Sequence, residues 1–105
     1  YFIDVDGEIA GFCLIRRAPD DSSLWDMGQF FVVRKFRGKG VAQDAFAQAL
    51  TQHFGRWLVR VLPDNTPAVR FWATQIERHA KGEVTRTPKP YGSAQLPMIY
   101  FTFDA

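Results

Sequence analysis

The chain has 105 residues, a formal net charge of +2 and a hydrophobic fraction of 47%, with ten phenylalanines. This length allows one domain with a single core, and the apolar content excludes a disordered chain. The charge excess is too small to indicate nucleic-acid binding by itself, although it suits a polyanionic small ligand.

The first third of the chain predicts three strands. Strands over 2–5 and 9–15 flank Asp6-Gly7, a pair that tolerates the positive φ of a tight hairpin turn. A loop rich in Asp and Ser follows over 16–23. A third strand over 24–33 ends in the apolar run QFFVV.

The rest of the chain predicts helices in alternation with strands. Apolar residues recur every three or four positions from about Lys39 to Phe54, which predicts an amphipathic helix. A strand over 56–62 precedes a second helix from Thr66, whose hydroxyl would cap it, to about Ala80. Strands over 83–87 and 96–103 flank a loop over 88–92. The order indicates an α+β fold with a mixed, mostly antiparallel sheet, one parallel strand–helix–strand crossover and two main helices.

A basic glycine turn, RGKGVA at 37–42, joins the third strand to the first helix. Backbone N–H groups at a helix N-terminus favour an anion, so this turn is a candidate phosphate site. A Walker A loop would need a hydroxyl residue after Lys39, where Gly40 stands, and a dinucleotide fingerprint would need glycine in place of Gln43. Both of these patterns fail, and no metal is expected.

The turn does match Arg-x-x-Gly-x-Ala, formed by Arg37, Gly40 and Ala42 after an apolar strand. In this respect the chain resembles the GNAT superfamily of N-acetyltransferases, whose acetyl-CoA signature has the form Gln/Arg-x-x-Gly-x-Gly/Ala. The resemblance continues at Asn65 to Ala68, which is similar to the family's Asn-x-x-Ala helix entry. It covers nearly the whole chain and implies a single GNAT-like domain over 1–105 that uses acetyl-CoA.

By this resemblance, acetyl-CoA would lie along the third strand and the glycine turn. Amides of the turn would hold the pyrophosphate, and the strand backbone would pair with the pantetheine arm. An amide of Val32 or Val33 would stabilise the oxyanion, and Asn65 would bind the pantetheine amide or else stabilise its own turn. The implied cofactor-binding residues are Phe31, Val32, Val33, Arg37, Gly38, Lys39, Gly40, Val41, Ala42, Asn65, Phe71 and Trp72, the last two of which would pack against the arm or the core.

The chemistry implied is direct attack of a primary amine on the thioester, which needs a proton acceptor and a proton donor. Many relatives carry a glutamate on the strand before the turn. The nearest carboxylate here is Asp26, which is either that base or a solvated residue at the start of its strand. Where relatives place a tyrosine acid this chain has Trp72. Tyr91 and Tyr100 are then the substitutes, or else ordinary loop and core aromatics, and Tyr100 is the candidate acid.

Location and partners rest on further sequence features. Cys13 is the only cysteine, and no apolar run approaches the roughly 20 residues of a membrane span. We therefore expect a cytoplasmic protein without a membrane partner. Relatives begin with another strand and two helices, whereas this sequence opens at Tyr1 within the first hairpin. We expect an N-terminally short domain whose open sheet edge is covered in a homodimer, or else a truncated product that binds CoA but is impaired in transfer.

Two alternatives remain open beside acetyl transfer to an unidentified amine. One is a GNAT-fold domain that binds CoA without turnover. The other is a nucleic-acid-binding module that uses the basic turn RKFRGK at 34–39. Nucleic acid is not expected, because these basic residues lie in one turn and form no stripe.

Overall fold

The computed structural model describes residues 1–105 as one mixed sheet with two helices. The helices are α1 (Val41–Gln52) and α2 (Thr66–His79). Neither helix has the length and apolar composition of a membrane span. The strands are β1 (Phe2–Val5), β2 (Glu8–Arg17), β3 (Leu24–Val32), β4 (Arg56–Val61), β5 (Thr85–Tyr91) and β6 (Leu96–Asp104).

The six strands lie in the order β1-β2-β3-β4-β6-β5. All neighbouring pairs are antiparallel except β3 and β4, which run parallel and are joined through α1. This arrangement confirms the mixed, mostly antiparallel sheet with one crossover that the element order predicts. Both helices pack on one face of the sheet, since their side chains share a single core with it.

The core is formed by large side chains from both helices and from the central strands. Phe46 of α1, Ile76 of α2 and Trp57 of β4 are each 0% exposed, and Phe103 of β6 is 1% exposed. Burial of such a side chain contributes about 1.5–3 kcal/mol. These contacts hold α1 and α2 on the sheet, because helices of this length are marginal by themselves.

The sheet opens between β3 and β4. The two strands pair only where Leu24, Trp25 and Asp26 lie opposite 56–58, whereas residues 27–32 of β3 pair with β2 alone. A register shift opposite Leu14 and Ile15 leaves Gly28 as an extra residue in β3, and such a bulge bends a strand. We call the gap between residues 27–32 of β3 and strand β4 the sheet opening.

Gly11 allows β2 to support β3 beside this opening. A Cβ atom at Gly11 would lie 1.9 Å from the carbonyl oxygen of Phe31, a distance that no side chain tolerates. The missing side chain at Gly11 therefore sets how closely β2 approaches the part of β3 that β4 does not support.

Two predicted local features are wrong. Pro88 and Pro90 belong to β5 and not to a loop, because β5 is an edge strand where a missing N–H costs no ladder bond. The cap of α2 is the side chain of Asn65 and not the Thr66 hydroxyl, since the Asn65 carbonyl oxygen Oδ1 accepts the amide of Ala68 at 3.2 Å.

Candidate functional site

The glycine turn gives α1 an N-terminus without a side-chain cap. Gly38 and Gly40 have φ of 77° and 79°, in the left-handed region that favours glycine. Gly40 is the N-cap residue and has no side-chain hydrogen bond to the first turn. The first amides of α1 are therefore available to an anion, at the positive end of the helix dipole.

A cavity of about 260 Å³ lies beside this N-terminus. It joins the glycine turn to the end of β3 and to Phe71 on the second turn of α2. Seven of the twelve predicted cofactor-binding residues line it: Val32, Arg37, Gly38, Gly40, Val41, Ala42 and Phe71. Sequence reasoning missed Phe36 and Gln43, which also line it. Phe36 is 8% exposed and packs with Val32 in a small apolar cluster next to the turn.

Three of the predicted cofactor-binding side chains lie elsewhere. Lys39 lines a separate cavity of about 480 Å³ between β1, β2 and α1. Phe31 packs beside Phe12, with ring centroids 5.9 Å apart. Trp72 packs edge-on against the rings of Phe30 and Phe46, at 5.3 and 5.0 Å, which is the core alternative predicted for it.

The backbone at the end of β3 presents one amide to the sheet opening. The Val33 amide donates to the carbonyl of Ala10 in β2 at 2.7 Å. Because successive amides of a strand point to opposite sides, the Val32 amide points away from β2, toward the sheet opening. The Val32 carbonyl accepts a hydrogen bond from Nε of Arg37 at 2.9 Å, which holds that guanidinium at the strand end. Of the two predicted oxyanion donors, only Val32 has the matching direction.

Asn65 lies on the exposed surface at the start of α2. Its Oδ1 caps the helix through the Ala68 amide, which is the turn-stabilising alternative predicted for it. Its Nδ2 makes no hydrogen bond within the chain, so this donor is free for a ligand.

Asp26 is buried where the sheet opening begins. Its side chain is 0% exposed, so the expectation of a solvated residue is wrong. Oδ2 accepts hydrogen bonds from Nε of Arg16 at 3.1 Å and from Nη2 of Arg60 at 2.9 Å. Oδ1 is buried without a hydrogen-bond partner. A buried carboxylate requires such ionic partners, and these come from β2 and β4 on either side of β3.

Two tyrosines lie near this cluster. Tyr100 of β6 pairs directly with Arg60 of β4, so its side chain shares the sheet face of Arg60 and Asp26. Its hydroxyl donates to the Pro90 carbonyl at 3.4 Å. The Arg60 guanidinium lies 4.0 Å from the ring centroid of Tyr91. The predicted base, Asp26, and the predicted acid, Tyr100, thus share the face of the sheet opposite the helices and lie two strands apart.

The hydrogen bond to Asp26, together with the charge of that carboxylate, raises the pKa of Arg16 above its ordinary value. Arg16 therefore keeps its positive charge at every physiological pH.

No group of three or more His, Cys, Asp or Glu side chains that could hold a metal ion lies together in the chain.

Comparisons with known proteins bear on the family and the fold of the chain. A family model described as the acetyltransferase (GNAT) family matches residues 1–75. No curated protein sequence matches the chain.

Two solved structures share the fold. One is the diaminobutyrate acetyltransferase EctA from Paenibacillus lautus, in complex with L-2,4-diaminobutyric acid and coenzyme A. It has a TM-score of 0.74 and 18% identity, over 96% of this chain and 66% of that one. The other is described as a GNAT-family acetyltransferase from Desulfovibrio desulfuricans, with a TM-score of 0.73 and 12% identity, over 98% of this chain and 65% of that one. The chain thus spans slightly less than two thirds of the length of each.

Proposed function

This chain belongs to the GNAT family of acetyltransferases, and we propose that it transfers an acetyl group from acetyl-CoA to a primary amine by direct attack in a ternary complex. The observation that carries the proposal is the combination of an uncapped, basic N-terminus of α1 with a sheet that opens directly beside it.

Acetyl-CoA fits this combination in two parts. Its pyrophosphate would meet the backbone amides of the glycine turn and of the first residues of α1, between Gly38 and Ala42. The glycines leave the backbone accessible there. Arg37 adds positive charge, and Phe71 closes the cavity on the side of α2. The pantetheine arm would then run along the sheet opening beside Val32, and Nδ2 of Asn65 is free to donate to it.

The chain's own residues would supply the proton transfers. The amine attacks the thioester carbonyl, and the carbon–sulfur bond breaks. Val32 lies roughly 20 Å along β3 from Asp26, so its amide would bind the pantetheine arm and not the oxyanion. Asp26 would accept the amine proton at Oδ1, because this is the oxygen of its carboxylate that has no hydrogen-bond partner. The Tyr100 hydroxyl would give its proton to the leaving thiolate and regain one through solvent from protonated Asp26, so the products are an amide and the free thiol of CoA.

A second candidate is a domain that binds CoA without turnover. It is favoured by the two guanidiniums that share Asp26 Oδ2 and by Trp72, which lies in the core where relatives place a tyrosine acid. A carboxylate held by two guanidiniums is a weak proton acceptor, and the indole N–H of Trp72 is a poor acid.

Calorimetry with acetyl-CoA tests the proposal, with release of CoA thiol over a panel of amines as the second readout. The panel includes L-2,4-diaminobutyric acid, which the Paenibacillus lautus enzyme binds. Binding at tens of micromolar with thiol release is the expected result. Binding without thiol release favours the second candidate. If an oligonucleotide binds instead, with steep salt dependence, the acetyltransferase proposal is wrong.

Replacement of Gly40 should separate the site from the fold. Gly40→Glu places a carboxylate at the proposed pyrophosphate position, and we expect CoA to bind at least tenfold more weakly. The control is Gly82→Glu, because Gly82 has a similar positive φ and equally open surroundings but follows α2. Both variants should carry a similar backbone strain of about 1 kcal/mol, visible in circular dichroism melts. Equal CoA affinity in the two variants would remove the glycine turn from the binding site.

A further inference from the structure

The cluster around Asp26 lies at the closed end of the sheet opening. Asp26 is the last β3 residue that pairs with β4, and the proposed pyrophosphate site follows the other end of β3. The six-residue step from Asp26 to Val32 spans roughly 20 Å of extended strand. A pantetheine arm that enters from the glycine turn would therefore carry its thioester toward this cluster, so the groups exposed here face the acceptor amine.

Arg16 is the exposed member of the cluster. Its side chain is 50% exposed, whereas those of Arg60 and Asp26 are 10% and 0% exposed. Only its Nε bonds to Asp26, so the two terminal nitrogens take no part in this ion pair. An ideal Cβ at Gly28 would lie 3.7 Å from this Nε. The guanidinium thus lies on the face of the sheet beside the bulge of β3, next to the closed end of the sheet opening.

The cluster carries an excess of one positive charge. Two guanidiniums face a single carboxylate, and both donate to the same oxygen, Oδ2. Since Arg60 is almost buried and stacks on Tyr91, the accessible excess charge is that of Arg16. A guanidinium fixed at one end presents a planar pair of N–H donors, which matches the two oxygens of a carboxylate.

We propose that the acceptor is a small amine that also bears a carboxylate, such as an amino acid, and that Arg16 binds this carboxylate. The inference rests on the proposed acetyl transfer, and it names the acceptor class for that same site. Asp26 holds Arg16 by its Nε, in addition to its proposed work as the base, and Arg60 is a positioning residue that neutralises Asp26. Purely cationic acceptors such as polyamines are disfavoured, because the exposed guanidinium repels them.

Matched amine pairs test this class directly. The probes are lysine against cadaverine, ornithine against putrescine, and phenylalanine against phenethylamine, which differ within each pair by one carboxylate. Binding is measured by calorimetry on the protein saturated with CoA, so the result does not require turnover. We expect the carboxylate-bearing member of at least one pair to bind roughly ten- to a hundredfold more tightly, the range for a hydrogen bond to a charged group. Equal binding or no binding in all three pairs overturns the inference.

Substitution of Arg16 assigns the preference to this side chain. Arg16→Gln should remove the discrimination within a pair while the affinity of the decarboxylated member does not fall. Arg17→Gln is the matched control, because the Arg17 guanidinium lies 3.7 Å from the ring centroid of Trp25 instead of beside Asp26. If Arg16→Gln does not fold, Arg16→Lys keeps the charge without the planar fork and should lose most of the preference. A preference that persists in the folded Arg16 variant contradicts the assignment.

The two proposals fail in different ways. If acetyl-CoA binds and thiol is released with decarboxylated amines as readily as with amino acids, the acceptor class is wrong and acetyl transfer stands. If acetyl-CoA does not bind while the carboxylate preference persists on the free protein, acetyl transfer is what fails.

Discussion

The carboxylate of Asp26 is fully buried, and two guanidiniums share one of its oxygens. Removal of such a charge from water costs several kcal/mol, which is offset only while both ionic partners remain in place. Arg60 depends on Asp26 in turn, because its own side chain is only 10% exposed. At the scale of the residue, the ion pairs are therefore mutually required, and the loss of one charge leaves another buried and unpaired.

Replacement of Asp26 should show this dependence. Asp26→Asn leaves Arg60 without a counter-charge, and we expect the free energy of unfolding to fall by about 3–5 kcal/mol. The control is Asp104→Asn, whose ion pair with Arg56 spans 3.8 Å between exposed side chains and should contribute less than about 1 kcal/mol. Urea denaturation followed by circular dichroism measures both variants. A loss of similar size in the two would mean that the Asp26 ion pairs contribute no more than surface contacts.

The start of α2 combines a structural and a proposed binding function in one residue. Asn65 satisfies one of the amides that a helix leaves without a partner, while its Nδ2 remains free. Phe71, on the second turn of the same helix, lines the cavity at the glycine turn. The orientation of α2 thus determines one wall of the proposed CoA site, and its cap helps to hold that wall.

Two substitutions of Asn65 should separate these functions. Asn65→Ser keeps a side-chain oxygen that can cap α2 but removes the Nδ2 donor, so stability should change little while CoA affinity falls severalfold. Asn65→Ala removes both and should also lower the free energy of unfolding by about 1 kcal/mol. Thermal melts and CoA calorimetry measure the two effects. Unchanged CoA affinity in both variants would restrict Asn65 to helix capping.

The two edges of the sheet differ at the scale of the whole molecule. β5 forms one edge and carries Pro88 and Pro90, which lack the N–H that a further strand would need. β1 forms the other edge, pairs only with β2 and contains no proline. Phe2 on β1 is 76% exposed. Association of two copies, if it occurs through strand pairing, is therefore expected at β1.

Sedimentation of the protein tests the homodimer predicted from the sequence. We expect a concentration-dependent dimer, and Phe2→Lys should weaken it at least tenfold, because a charge on an edge strand opposes pairing. Leu96→Lys is the control, since Leu96 is 50% exposed but lies at the start of β6, next to the opposite edge. A wild-type chain that sediments as a monomer at all concentrations would contradict the prediction.

The elements of the chain could largely be predicted from its sequence, but the candidate site could be predicted only in part. The glycine turn, the two helices and the hairpin of β1 and β2 depend on residues close together in the chain, so their patterns can be read directly. The extension of β5 through Pro88 and Pro90 could not be predicted, because it depends on the position of that strand at the edge. The environment of Asp26 was predicted wrongly, since residues 10 and 34 positions away provide its two partners.

The sequence by itself determined the family signature and the glycine turn that is the candidate anion site. Positive φ at Gly38 and Gly40, the helix that follows them and the absence of a capping side chain are local properties of about six residues. Only the tertiary structure decided where the sheet opens and what faces the opening. Strand pairing that stops at Asp26 and the register that brings Arg16 and Arg60 beside it arise from long-range contacts, which no local pattern encodes.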